Sequence, residues 1–187
     1  KIVGSVIYPA AELVEPGVIL HKSGYKITLG EPDGSQTKRI ETLALALNTS
    51  GLRAPIRKNL RDEIWLKLLG NVAFNPLSAL TGGTLAEICA NPDTRKIVID
   101  LMNEARTIGQ KLGANFRISI EKRIRGAEAV GNHKTSMLQD LEARRPMEID
   151  AIVTAVQELG KITNTTTTVL DLISSLLRQK ISVLGLN

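Results

Sequence analysis

Apolar residues follow two different rhythms along this chain. In residues 1–58 they come in short β-branched runs, VGSVIY, GVILHKSG and YKITLGE, punctuated by EPG, SG and EPDGS, which are turn chemistries. Three strands are predicted there. A helix over 35–48 follows, with Ile40, Leu43, Ala44 and Leu47 on one face, and LRAPI reads as one more short strand. After Asn59, which suits a helix N-cap, the strand signals stop. Helices are predicted over about 60–80, 84–90, 92–113, 118–130, 135–144, 147–162 and 166–183. Pro92 suits a first turn, Gly113 a C-cap, and Pro146 separates the fifth of these helices from the sixth. The stretch TNTTTT at 163–168 reads as a loop whose threonines cap the next helix.

Within the first of these helices, WLKLLGNVAFNPLSALTGG at 65–83 poses a chemical problem. Lys67, Asn71 and Asn75 recur every four residues and stack on one helix face, while Trp65, Leu68, Leu69, Val72, Phe74, Leu77 and Leu80 surround them with hydrocarbon. Asparagine is a mediocre helix former, and a buried amide or ammonium without partners costs a few kcal/mol. The stripe therefore calls for polar partners.

The bulk properties narrow the field. At 187 residues and 20.3 kDa the chain is long for one domain and short for two, which suggests one domain plus a fragment. Hydrophobic content of 43% with 23% charged residues is ordinary for a globular protein, and no apolar run is long enough to span a bilayer. The start at Lys1, running straight into KIVGSVIY, reads as a cut end and not as a signal peptide. The lone Cys89 excludes an intrachain disulfide, offers no metal-ligand spacing and fits a reducing cytoplasm.

Net charge of +5 raises nucleic acid as a partner, but aromatic content is only 3%. The two basic clusters, Arg53, Arg57, Lys58 and Arg61, then Lys122, Arg123 and Arg125, read as solvated helix surface. No G-x-G-x-x-G, G-x-x-x-x-G-K-[ST], H-E-x-x-H or C-x-x-C occurs. His21 and His133 lie far apart and read as ordinary histidines, and TGG at 81–83 as a helix end. A second polar constellation is KTSMLQDLEARRPMEID at 134–150. Taken alone, Ser136 with Gln139 has capping-box spacing, and Glu148 is a first-turn carboxylate.

Together, LRDEIWLKLLGNVAFNPLSALTGGTLAEI and, farther on, SMLQDLEARRPMEID resemble the C-terminal half of the ketopantoate reductase family, the NADPH-dependent 2-dehydropantoate 2-reductases. GSVIYPAAELVEPGVILH and ITLGEPDGS resemble the last strands of that family's dinucleotide-binding domain. The resemblance implies a mainly α fold: residues 59–187 form an all-helical substrate-binding and assembly domain, like the C-terminal domains of 6-phosphogluconate dehydrogenase-like enzymes. Residues 1–58 are then a β-rich remnant of the NADP-binding domain. It also implies that Lys67 is the catalytic lysine and that Asn71, Asn75, Ser136 and Glu148 bind substrate, in a cleft between domains.

The implied reaction is NADPH-dependent reduction of a 2-oxo acid, ketopantoate by default, in the pantothenate pathway. The implied partners are a small oxo acid, NADP(H) in the intact enzyme, and a second copy in a homodimer, with no nucleic acid and no membrane. The glycine-rich phosphate turn is missing from these residues, so weak cofactor binding and no turnover are expected of the chain by itself. NTTTT stands where relatives tend to show a glycine and prolines, and Asn164 can supply the left-handed residue there. Two alternatives stay open: a helical dimerisation module without catalysis, and a reductase of a different 2-oxo acid.

Overall fold

The structure, a computed structural model, describes residues 2–186. The chain forms two compact units that divide between Ile64 and Trp65, inside one helix. The first unit is β-rich and the second all-helical, so the fold is mainly α.

In the first unit, β1 (Gly4–Ile7) pairs antiparallel with β4 (Ile27–Gly30), Gly4 opposite Gly30 and Val6 opposite Thr28. Between them β2 (Ala10–Glu15) and β3 (Val18–Ser23) form a hairpin, its turn carrying Gly17 at φ +82. The sequence predicts three strands here and the structure has four. AAELVE was missed because alanine and glutamate are poor strand formers, and cross-strand pairing across the turn overrides that preference. LRAPI does not make a full strand. Ile27 and Leu29 donate backbone N–H groups to Arg53 and Pro55 at 2.9 Å, giving isolated parallel bridges. Pro55 lacks the N–H that a continuous ladder requires.

One face of this small sheet is packed by α1 (Lys38–Thr49), with Leu29, Ile40, Ala44 and Ala54 as the core. The other face meets Leu60, which approaches so closely that a Cβ on Gly30 would lie 2.7 Å from the Leu60 Cβ. The glycine pair makes room for that side chain. Just past β4, Glu31 is buried and accepts hydrogen bonds from Thr37 and from Arg39, whose Nε lies 2.7 Å from Oε1. This clasp fixes the strand end to the start of α1.

The second unit holds α3 (Leu85–Ala90), α4 (Pro92–Lys111), α5 (Ile120–Glu128), α6 (Ser136–Glu142), α7 (Ala155–Ile162) and α8 (Thr168–Val183), together with most of α2 (Leu60–Thr81). No strand occurs among its described residues. Pro92 opens α4, as predicted, and Gly113 follows the C-cap Leu112 with φ +87. The core runs through Leu69, Val72, Phe74, Leu77, Leu101, Met102, Ile108, Ile124, Val153 and Leu177, most of them almost completely enclosed. None of the described helices is long and apolar enough to cross a membrane.

Three local readings are corrected. The helix predicted over 147–162 instead contains a π-helical turn, Asp150–Thr154, ahead of α7. The N-cap of α6 is Thr135, whose hydroxyl accepts the Leu138 N–H at 3.2 Å, and not Ser136. The threonines of 163–168 do not cap α8: Glu104 of α4 does, accepting the Val169 and Leu170 N–H groups at 2.9 and 3.0 Å on its two carboxylate oxygens. Asn164 does take the left-handed conformation, with φ +48. At the other end of the bundle, Lys180 of α8 donates to the Ala79 and Leu80 carbonyls at 2.7 and 2.9 Å, a cation at the C-terminal end of α2.

Candidate active site

Helix α2 carries the polar stripe because its other faces are committed to the core. Trp65, Leu69, Val72, Ala73, Phe74 and Leu77 are buried, while Lys67 and Asn71 are half-buried. Asn75 is enclosed, at 6% exposure. Neither asparagine amide belongs to the buried polar groups left without a hydrogen-bond partner, which among the described residues is Thr28 Oγ1. The two amides sit on one face of a packed helix, Asn71 half-buried and Asn75 enclosed, where they can donate to and accept from a ligand or water.

Lys67 has a different environment. Burial pulls its ammonium below the ordinary lysine range, and the carboxylate of Glu148 opposes that shift. Burial is the stronger influence. The structure therefore brings Lys67 and Glu148 within electrostatic reach, although they lie far apart in this unit's sequence. Glu148 is exposed and stands just ahead of the π-turn, its carbonyl accepting the Ile152 N–H at 3.1 Å.

Ser136 is the first residue of α6 and exposed. Since Thr135 caps that helix, the Ser136 hydroxyl is released from the local duty its spacing suggested and has no partner among the described residues. It forms no hydrogen bond with the other four residues. Thus Lys67 and Glu148 come within electrostatic reach and Asn71 and Asn75 share the Lys67 face of α2, while no hydrogen bond among the described residues joins Ser136 to them.

Two features escaped the sequence reading. Glu63, one turn before Lys67, accepts from the Tyr8 hydroxyl and Lys26 at 3.1 Å each and from Arg57 at 3.4 Å. These bonds hold its carboxyl below the usual range against the opposing effect of burial, and they show that Arg57 is not merely solvated surface. Arg123, read as surface, packs its guanidinium against Gly70, where a Cβ would lie 2.6 Å from Cζ. Only the missing side chain at Gly70 could have signalled this. A surface cavity of about 450 Å³ lies in the first unit, lined by Glu31, Asp33, Lys58, Asn59 and Arg61 among others, and none of the five candidate residues borders it. Among the described residues no group of histidine, cysteine and carboxylate side chains could hold a metal ion.

Comparison with known proteins places these residues in context. The family profile described as Ketopantoate reductase PanE/ApbA C terminal matches residues 59–181. The 2-dehydropantoate 2-reductase of Mesorhizobium japonicum is 51% identical over 179 residues, covering 96% of this chain and 55% of that protein. The 2-dehydropantoate 2-reductase of Archaeoglobus fulgidus is 29% identical over 161 residues, covering 86% of this chain and 54% of that protein. The crystal structure of a ketopantoate reductase candidate from Ralstonia solanacearum MolK2 superposes with a TM-score of 0.93 at 35% identity, covering 99% of this chain and 56% of that one. The chain spans about half the length of the curated relatives it matches.

Proposed function

The chain belongs to the ketopantoate reductase family, and on that premise we propose that it supplies the substrate side of an NADPH-dependent 2-oxo acid reductase, with ketopantoate as the default substrate. The observation that carries this reading is Lys67: a half-buried ammonium facing Glu148, on the same helix face as the amides of Asn71 and Asn75. A helix built only for packing has no use for that combination.

A reduced nicotinamide supplies the hydride when bound. None of the described residues forms a glycine-rich phosphate turn, and none is assigned to that cofactor. The groups present suit the oxo acid instead. As the substrate's C2 carbonyl carbon is reduced, negative charge grows on its oxygen. The Lys67 ammonium donates a hydrogen bond to that oxygen, stabilises the charge and transfers the proton that completes the alcohol. The neutral amine then regains a proton from solvent. Glu148 favours the charged lysine and so reduces the effect of burial on the donor. The amides of Asn71 and Asn75 and the Ser136 hydroxyl orient the substrate's carboxylate and hydroxyl groups without adding fixed charge.

The test uses the full-length natural protein. Lys67→Ala is expected to lower kcat by roughly 10²–10⁴, the contribution of a positioned proton donor. Asn75→Ala is expected to raise KM with little change in kcat, because its amide holds ground and transition states alike. A folded Lys67→Ala protein with unchanged kcat would refute the assignment. Residues 1–58 are read as the end of the nucleotide domain. Self-association is a second role, favoured by the exposed stripe of Leu172, Leu176 and Val183 on α8. Light scattering that finds only monomer would remove it.

A further inference from the structure

The π-turn lies directly after Glu148. Its defining bond runs from the Ala155 N–H to the Asp150 carbonyl, five residues back, while the turn before it closes normally from Ile152 N–H to the Glu148 carbonyl. A π-turn takes one residue more than an α-turn. Everything ahead of it is therefore rotated by about one residue's worth of helix, roughly 100°, relative to the helix that follows. The direction in which Glu148 points relative to α7 depends on this turn staying wide.

A three-membered clasp spans the turn. Arg178 of α8 donates from one Nη2 to Asp150 Oδ1 at 2.8 Å and to Thr154 Oγ1 at 2.7 Å, and the Thr154 hydroxyl donates to Asp150 Oδ1 at 2.8 Å. Asp150 and Thr154 are the first and last residues of the π-turn. Beneath them Ile152 and Val153 are buried, so one side of the turn is anchored in the core and the other by the arginine. The Arg178 guanidinium holds the Asp150 carboxyl below its usual range, with the Thr154 hydroxyl adding to the effect.

We infer that Arg178 is a positioning residue: by bridging Asp150 and Thr154 it keeps the π-turn open and Glu148 aimed at Lys67, an inference that rests on the role proposed above for that pair. Without the bridge, the turn can relax to α-helical spacing and carry the Glu148 carboxylate around the axis. Lys67 then loses the carboxylate that counteracts its burial.

The experiment compares Arg178→Ala, Arg178→Lys and Thr154→Val with Lys67→Ala and Glu148→Gln in the full-length natural protein, following kcat, KM and the alkaline limb of the kcat–pH profile. Arg178→Ala is expected to lower kcat about tenfold with KM changed less than about twofold. Its alkaline limb moves to lower pH, in the same direction as that of Glu148→Gln. Arg178→Lys restores part of the shift, because an ammonium can still bridge the two oxygens. The double variant Arg178→Ala/Glu148→Gln is no worse than Glu148→Gln alone. If Arg178→Ala does not fold, Thr154→Val carries the same comparison, since it removes one corner of the clasp at nearly constant volume. An unmoved alkaline limb in Arg178→Ala or Thr154→Val, beside a displaced one in Glu148→Gln and a crippled Lys67→Ala, overturns this inference alone. Full activity in Lys67→Ala overturns the proposed function and this inference with it.

Discussion

Glu148, far from Lys67 in the chain, works against that lysine's surroundings: burial lowers the proton affinity of the Lys67 ammonium, the Glu148 carboxylate raises it, and burial prevails. The fold thus disfavours the charged form of this lysine, and Glu148 reduces that penalty.

This arrangement predicts that the lysine costs stability. A lysine whose folded-state pKa is depressed binds fewer protons in the folded chain than in the unfolded one. Stability therefore rises with pH between the folded and unfolded values, and the penalty is fully present below both. At neutral pH, Lys67→Met is expected to raise the melting temperature by roughly 1–3 °C. Calorimetry finding a lower melting temperature would mark Lys67 as a structural residue.

Glu31 behaves in the opposite sense. Arg39, and after it Thr37, hold its carboxyl down at about 2, against an ordinary value of 4.5. A depressed carboxylate stabilises the fold fully above the unfolded value, and this contribution disappears as pH falls through the folded one. Glu31→Gln is expected to lower the melting temperature at pH 7, and the gap from the natural sequence should close between pH 4.5 and 2. A gap that stays constant over that window would contradict the assignment.

The carboxylate cap on α8 gives a third expectation. Glu104 satisfies two N–H groups that α8 cannot bond internally, so Glu104→Ala should cost about 1–2 kcal/mol, in the range of a lost N-cap. Denaturant unfolding measures it directly. Glu104→Gln retains one good acceptor and should lose about half as much. Equal losses in the two variants would mean that packing, not capping, is what Glu104 provides.

Much of the helical half was legible because its apolar positions recur with helical period, and because Pro92 and Gly113 mark ends by local chemistry. The candidate site was legible for a related reason: Lys67, Asn71 and Asn75 break an otherwise apolar pattern at regular spacing. What the sequence hid was non-local. Glu104 and Lys180 cap helices distant in the chain, and nothing near either residue announces it. The π-turn is silent because Ile149, Ile152, Val153 and Val156 satisfy helical spacing with or without the extra residue. Thr135 and Ser136 are both good caps, and spacing alone could not choose between neighbours. The hairpin strand Ala10–Glu15 owes its existence to its partner and not to its own residues.

The central claim is that Glu148 sustains the charge on a partly buried Lys67. NMR titration of the Lys67 side-chain ammonium, in the natural sequence and in Glu148→Gln, tests it most directly. The account predicts a midpoint below the ordinary lysine value in the natural sequence and a still lower one in Glu148→Gln. A midpoint at or above the ordinary value, or one that ignores the loss of Glu148, would contradict it.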